Sequence, residues 1–99
     1  MARFDVYRGQ AFDGLVLDCQ ADILAELPTR IMVPLIPAAR FERLYARLNP
    51  VFQIDGVDYS MATQMAAAVP VKSLAECLTS LAVDQFRIMD AIDMLLTGY

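Results

Sequence analysis

The chain has 99 residues, a length that predicts one domain over residues 1–99, because two halves would each be too small to bury a core. Hydrophobic residues make up 58% of it, which excludes a disordered chain, since that apolar content can offset the entropy lost on ordering. The formal net charge of −4 argues against a stand-alone nucleic-acid-binding module, because such binding depends on lysine and arginine contacts to phosphates.

The first half of the chain has the pattern of β-strands. Residues 3–8 and 15–19 alternate between apolar and polar side chains, as expected for strands with one buried face. Residues 22–27 are a connector. Residues 30–36 form a nearly unbroken apolar run, which predicts a strand covered on both faces, with Pro34 at a bulge or an edge because proline cannot donate to a ladder.

The middle of the chain contains the clearest local signal, a β-hairpin. Residues 51–54 and 57–61 flank Asp55-Gly56, a pair that supplies the positive φ angles of a type I′ turn. A further strand is expected around residues 69–72. Residues 38–48 remain ambiguous, because their apolar spacing fits either a short amphipathic helix or a loop.

The last twenty residues change to the helical period. We expect an amphipathic α-helix with Thr79 or Ser80 as its N-cap and Gly98 as its C-terminal stop. Together with five antiparallel strands, this helix predicts an α+β, mainly β fold of the small-barrel kind. The apolar face of the helix is expected to contain Phe86, Met89, Ile92 and Leu96, flanked by Ile88 and Leu95.

The apolar surplus has two explanations, a membrane segment or a buried interface. The longest uncharged apolar stretch, residues 31–39, contains two prolines and is far shorter than the about 20 residues of a membrane span. The N-terminus lacks the basic start and apolar run of a secretory signal. We therefore expect a cytoplasmic protein that covers its apolar surplus by forming a dimer.

The sequence offers little for catalysis, metal binding or cofactor binding. There is no histidine to act as a base, and the four glycines are too scattered to form a phosphate loop. Cys19 and Cys77 have no metal-ligand spacing and are interpreted as buried small apolar side chains. We therefore expect a binding protein, not an enzyme, with no cofactor and no metal.

Several segments in order along the chain resemble the CcdB family of toxins from bacterial toxin–antitoxin modules. Leu17–Leu24 resembles the family's V-D-V-Q-S-D-I-I, and Thr29–Leu35 resembles R-R-M-V-I-P-L. Ala91–Tyr99 resembles the ending A-I-N-L-M-F-W-G-I. Phe4–Tyr7 and Met65–Val71 add weaker matches, so the resemblance extends over essentially the whole chain.

The resemblance implies a fold, a target and a partner. The fold is an SH3-like small barrel or five-stranded antiparallel sheet, with a small second sheet and a C-terminal α-helix, assembled as a homodimer. The family's target is the A subunit of DNA gyrase, and the toxin traps the gyrase–DNA cleavage complex. A cognate antitoxin neutralises the toxin through a disordered tail and supplies the DNA-binding domain for transcription autoregulation, so no direct DNA binding is expected without it.

The resemblance also assigns binding residues by position. In the family, the antitoxin tail covers loops that correspond to residues 8–14 and 38–47. From charge alone we expect Arg40, Arg43 and Arg47 to pair with acidic residues of that tail. The gyrase-binding positions are Ile23, Leu24, Gln85, Asp90, Asp93, Thr97, Gly98 and Tyr99. The alternative for these positions is a structural role, in which the connector residues belong to the core and the aspartates are merely solvated.

This chain departs from the family at the proposed gyrase-binding end. Thr97 stands where the family has an aromatic residue, Tyr99 stands where an aliphatic residue is familiar, and Asp90 and Asp93 replace asparagines. We expect Tyr99 to replace the missing aromatic anchor in part. Two alternatives therefore stay open: a diverged family member that binds antitoxin without poisoning gyrase, or a small-barrel nucleic-acid-associated protein.

Overall fold

The computed structural model describes residues 1–9, 14–43 and 45–98, and the described chain folds into one curled antiparallel sheet with a C-terminal helix. The strand order is β4-β5-β3-β2-β1-β7, and β6 pairs with the free part of β3. The elements are β1 Asp5–Gly9, β2 Leu15–Asp18, β3 Thr29–Pro37, β4 Val51–Ile54, β5 Val57–Met61, β6 Ala67–Pro70, β7 Leu74–Ser80 and α1 Gln85–Thr97.

The predicted fold class is confirmed: the sheet curls into a half-barrel, with a small extra strand and a C-terminal helix. The described residues contain seven strands, more than the five-stranded sheet predicted: each predicted strand segment contains a strand, and β7 is additional. The sequence of β7 did not indicate a strand, since its exposed residues do not alternate with buried ones. Its pairing with β1, from Asp5 opposite Ser80 to Gly9 opposite Leu74, contains two register shifts.

The long strand β3 organises the sheet. β2 pairs along one edge of β3, while β6 and β5 share the other edge at residues 29–32 and 35–37. Pro34 lies in the gap between these two pairings, where a missing N–H leaves no ladder bond unmade. Its carbonyl accepts the backbone N–H of Ala62 at 2.9 Å. Pro34 therefore lies in a local gap of the pairing, although β3 is a central strand and not the edge strand that was one of the two predicted settings.

The helix packs on one face of the sheet. Ile88 and Ala91 are fully buried and join a core that includes Val6, Leu17 and Val33. A smaller apolar cluster lies on the other face of the sheet: Tyr7, Val16, Met32 and Leu74.

The predicted apolar face of α1 is partly wrong. Phe86 is 82% exposed and Leu96 is 75% exposed, whereas Met89 and Ile92 are partly buried against the core. The buried stripe is therefore rotated toward Ile88, and large apolar side chains remain at the surface near both ends of the helix.

The helix ends as predicted but begins differently. Gly98 adopts the left-handed conformation with φ 80°, and its N–H donates to the carbonyl of Met94. The predicted N-cap at Thr79 or Ser80 is wrong, because both residues belong to β7. A 3-10 turn over Ala82–Asp84 precedes α1, and the Ser80 hydroxyl accepts the N–H of Ala82 at 3.2 Å.

The predicted hairpin is confirmed. β4 and β5 pair with Ile54 opposite Val57, and the two turn residues Asp55 and Gly56 have φ 51° and 78°. The segment that the sequence left ambiguous, residues 38–48, begins with a 3-10 turn over Ala38–Arg40, which ends in extended backbone at Phe41. The loop alternative is therefore confirmed there.

The two cysteines differ. Cys19 is buried as predicted, and burial raises the pKa of its thiol to about 12. Cys77 is exposed, so its predicted burial is wrong, because it lies on the edge strand β7. Within the described ranges, no helix has the length and apolar character needed to cross a membrane.

Candidate protein-binding surface

The connector between β2 and β3 displays two apolar side chains. Asp22–Leu24 forms a 3-10 turn in which Ile23 is 90% exposed and Leu24 is 47% exposed. The alternative that these residues belong to the core is therefore wrong. The Gln20 side-chain amide donates to the Leu24 carbonyl at 2.9 Å and holds the turn in place.

Arg3 joins this connector to the helix. Its backbone N–H donates to the Asp22 carboxylate at 2.8 Å, and its Nε donates to the Cys19 carbonyl at 3.2 Å. Its Nη2 lies 3.1 Å from the sulfur of Met89 on α1. These three contacts place the connector beside the helix. No local pattern singles out Arg3, because two of its partners, Asp22 and Met89, are distant along the chain.

The predicted helix residues fall into two groups. Asp90, Asp93 and Thr97 share one face of α1 and are exposed, and the Thr97 hydroxyl donates to the Asp93 carbonyl at 2.6 Å. Gln85 lies about 18 Å away from Thr97 along the helix axis, since each residue rises about 1.5 Å. Gln85 therefore does not join the same patch. Tyr99 lies outside the described residues.

Asp90 is held by an ion pair. Arg47 donates from Nε and Nη2 to the two carboxylate oxygens of Asp90, both at 2.7 Å. These bonds lower the pKa of Asp90 from its ordinary value and raise the pKa of Arg47. A residue predicted to bind gyrase is thus paired with a residue predicted to bind antitoxin, although they are 43 positions apart.

The three predicted antitoxin-binding arginines do not form one surface. Arg40 lines a pocket of about 430 Å³ together with Arg8 and Tyr59. Arg43 and Arg47 line a different pocket of about 420 Å³ against α1. The antitoxin-binding loop expected at residues 8–14 is described in part only, since residues 10–13 lie outside the described ranges.

Asn49 fixes the segment that carries Arg43 and Arg47. It is fully buried, and its side-chain amide donates to the Met61 carbonyl at 2.9 Å and to Gln64 Oε1 at 2.8 Å. Its own carbonyl accepts a bond from Arg43 Nε at 3.1 Å. Asn49 could not be recognised from the sequence, because an asparagine before a proline is typical of an ordinary turn.

An apolar groove of about 290 Å³ runs beside the connector and α1. Ile31, Leu95 and Leu96 line it and remain 39%, 40% and 75% exposed, and Arg3 is the charged residue in its lining. The groove therefore leaves apolar side chains at the surface beside the C-terminal half of the helix, and Ile23 is a further exposed apolar side chain on the connector. Among the described residues, no group of three histidine, cysteine or acidic side chains is placed to hold a metal ion.

Comparison with known proteins assigns the family. The model of the family described as CcdB protein matches residues 3–98. No curated protein matches the chain. Because the family match extends over nearly the whole chain, and the half-barrel with its C-terminal helix agrees with the expected fold, the chain belongs to the CcdB family.

Proposed function

We propose that this protein is the toxin of a toxin–antitoxin module that binds the A subunit of DNA gyrase and traps the gyrase–DNA cleavage complex. Membership of the CcdB family carries the proposal, since that membership supports a toxin of such a module. In this function the protein acts by binding and performs no reaction itself, so it needs no cofactor. We place it in the cytoplasm, where gyrase acts.

The proposed gyrase-binding surface combines the connector and the exposed face of α1. Ile23 and Leu24 offer apolar contacts, and Asp93, Thr97 and Gly98 offer polar and backbone contacts on the neighbouring helix. Apolar anchors surrounded by polar groups are typical of protein interfaces. Asp90 belongs to this surface when it is released from Arg47, and Gln85 would contact a separate part of the target.

The active form is proposed to be a homodimer. The groove lined by Ile31, Leu95 and Leu96 offers a second copy an apolar surface to cover, since these side chains are 39%, 40% and 75% exposed. A second copy that covered part of this area would bring two connector–helix surfaces together. The oligomeric state is measured by sedimentation of the purified protein, and a monomer at micromolar concentration would contradict this part of the proposal.

Neutralisation is assigned to a cognate antitoxin with a disordered acidic tail. Arg40 with Arg8, and Arg43 with Arg47, provide two separate sets of cations for that tail. The antitoxin would also supply the DNA-binding domain for autoregulation, because the toxin's net charge of −4 opposes binding to phosphates.

The specific alternative is a diverged family member that binds antitoxin but not gyrase. Two features favour it: Thr97 replaces the family's aromatic residue, and Asp90 is occupied by Arg47. The two functions differ in whether the purified protein stabilises cleaved DNA on gyrase.

A gyrase cleavage assay with matched variants tests the proposed function. Ile23→Asp places a charge on the proposed surface and is expected to abolish stabilisation of cleaved DNA. Val83→Asp is the control, because Val83 is 92% exposed on a similar 3-10 turn outside that surface, and it should retain activity. Equal activity of both variants would contradict the assigned surface, and no cleavage by the unaltered protein would favour the diverged alternative.

A further inference from the structure

Three arginines converge on the 420 Å³ pocket beside α1. Arg43 and Arg47 come from the segment before β4, and Arg87 comes from the helix. The chain has only eight basic residues against twelve acidic ones, so three of them in one pocket is a local reversal of its charge. Asp90 is the acidic residue in the lining of this pocket. We call this pocket, lined by Arg43, Arg47, Arg87 and Asp90, the arginine pocket.

The arginines are held in position by backbone acceptors. Arg43 Nε donates to the Asn49 carbonyl at 3.1 Å, and Arg87 Nη2 donates to the Val51 carbonyl at 2.8 Å. The Arg87 guanidinium also stacks over the Phe52 ring at 4.7 Å and lies 3.5 Å from Asp84. A guanidinium carries five N–H donors, so one or two such bonds orient the group without using its full capacity.

Asp90 shows which chemistry fits the pocket. It accepts two parallel bonds from Arg47, the fork geometry that arginine forms with carboxylates. Arg47 is paired with Asp90 and Arg87 lies 3.5 Å from Asp84, so Arg43, which donates to a backbone carbonyl, is the guanidinium of the pocket with no carboxylate partner among the described residues. Because the Arg47 and Asp90 side chains are about half exposed, 43% and 50%, another carboxylate can reach the same donors from solvent.

We propose that the arginine pocket binds a carboxylate side chain of an acidic peptide, and that this carboxylate competes with Asp90 for Arg47. The inference rests on the proposed function, in which such a peptide is the antitoxin tail. Binding of the tail would then change the charge presented on the neighbouring helix face.

A peptide fits this pocket better than a nucleic acid does. An arginine fork accepts a phosphate as readily as a carboxylate, but a nucleic acid brings a continuous row of phosphates. Asp84, Asp90 and Asp93 border the helix side of the pocket, and the whole chain carries a charge of −4. A single inserted carboxylate can bond to Arg43 and to the remaining donors of Arg47 and Arg87 without this wider repulsion.

The test measures binding of a fluorescently labelled octaglutamate peptide by anisotropy at low salt. Arg87→Gln is expected to weaken binding about fivefold, because it removes one charged donor group from a partly exposed site. Lys72→Gln is the matched control, since it makes the same charge change on an exposed turn outside the pocket, and it should leave affinity unchanged. Asp90→Asn should tighten binding about threefold, because it removes the competing carboxylate.

The opposite effects of the two pocket variants separate this inference from simple loss of structure. Arg87→Lys, which keeps the charge, should bind between the unaltered protein and Arg87→Gln, and circular dichroism checks that each variant is folded. Three outcomes would overturn the inference: no peptide binding by the unaltered protein, equal binding by Arg87→Gln and Lys72→Gln, or weaker binding by Asp90→Asn. Tighter binding of a labelled oligothymidylate than of the peptide would also overturn it.

The peptide-binding experiment contains no gyrase, so the measured affinity does not depend on whether gyrase is the target. Arginine-dependent peptide binding by a protein that does not poison gyrase would support the pocket and contradict the toxin activity. Poisoning of gyrase without peptide binding would contradict the pocket alone.

Discussion

Two arginine–aspartate pairs have similar distances and opposite surroundings. Arg30 Nη2 lies 2.6 Å from Asp18 with both side chains fully buried, whereas Arg47 contacts Asp90 at 2.7 Å on the surface. The buried pair joins β2 to β3, and the surface pair joins a loop to α1. An ion pair that is sealed from water supports the fold, while one that water can reach is able to exchange partners. The comparison therefore separates a structural pair from a candidate binding element.

The buried pair is only partly satisfied within the described protein. The Asp18 carboxylate also accepts the N–H of Gln20 at 3.0 Å. Arg30 Nε and Nη1 are buried and have no hydrogen-bond partner among the described residues. Arg30 therefore depends strongly on the single charge of Asp18.

The largest expected effect comes from breaking the buried pair. Arg30→Met leaves an uncompensated buried carboxylate at Asp18, and we expect it to lower the free energy of unfolding by about 3–5 kcal/mol. Urea denaturation measures the loss. The exposed pair Arg8–Glu76, at 3.6 Å, provides the control, and Glu76→Gln should change stability little. The double change Arg30→Met with Asp18→Leu should recover much of the loss, and a double variant no more stable than the single would contradict this reasoning.

A smaller effect is expected from Asn49, which holds the segment bearing the surface pair. Asn49→Ala removes a buried hydrogen bond to the Met61 carbonyl and a partly buried one to Gln64, and it leaves that carbonyl with only the Thr63 hydroxyl at 3.5 Å. We expect a loss of about 2 kcal/mol in the free energy of unfolding, together with weaker octaglutamate binding because Arg43 and Arg47 lose their support. Gln64→Ala, which removes only one of these partners, should have a smaller effect on both measurements. Unchanged peptide affinity in Asn49→Ala would show that the segment is positioned without Asn49.

The smallest expected effect on stability comes from the surface pair. Arg47 holds the pKa of Asp90 below its ordinary value of 3.8 in the folded state. The unfolded protein therefore binds more protons as the pH falls below this value, so the pair stabilises the fold above pH 3.8 and this contribution is lost as the pH falls through the lowered pKa. At neutral pH, Arg47→Gln should change the free energy of unfolding little, because exposed ion pairs contribute little.

The titration of Asp90 provides the direct readout of that pair. An NMR titration of the Asp90 carboxyl should show its pKa rising toward 3.8 in Arg47→Gln and staying low in Lys72→Gln. The same pKa in both variants would mean that Arg47 does not hold Asp90 in solution.

Local signals in the sequence predicted local structure well. Asp55-Gly56 identified the hairpin because a type I′ turn needs two residues with positive φ, and Gly98 identified the helix end for a similar reason. β7 was not predicted, because its pairing with β1 is irregular and its side chains are mostly exposed. Its sequence therefore shows no alternation of apolar and polar residues. The helix face was misjudged because Phe86 and Leu96 are apolar but not buried.

Less of the candidate site than of the fold could be predicted from the sequence. The positions of Ile23 and Leu24 came from family resemblance, and their exposure could not be distinguished from burial by their apolar character. The pairing of Arg47 with Asp90 joins residues 43 positions apart, and Arg87 reaches the same pocket from the helix. Such contacts depend on how the loop packs against α1, which no local pattern of residues encodes.

Expression in two matched bacterial hosts tests the toxin assignment most directly. One host has a sensitive gyrase, and the other differs only by an altered gyrase A subunit. We expect the unaltered protein to arrest growth and to cause DNA breaks in the first host and to leave the second host unaffected. Arrest in both hosts would contradict gyrase as the target, and growth of both hosts despite verified expression would contradict poisoning altogether.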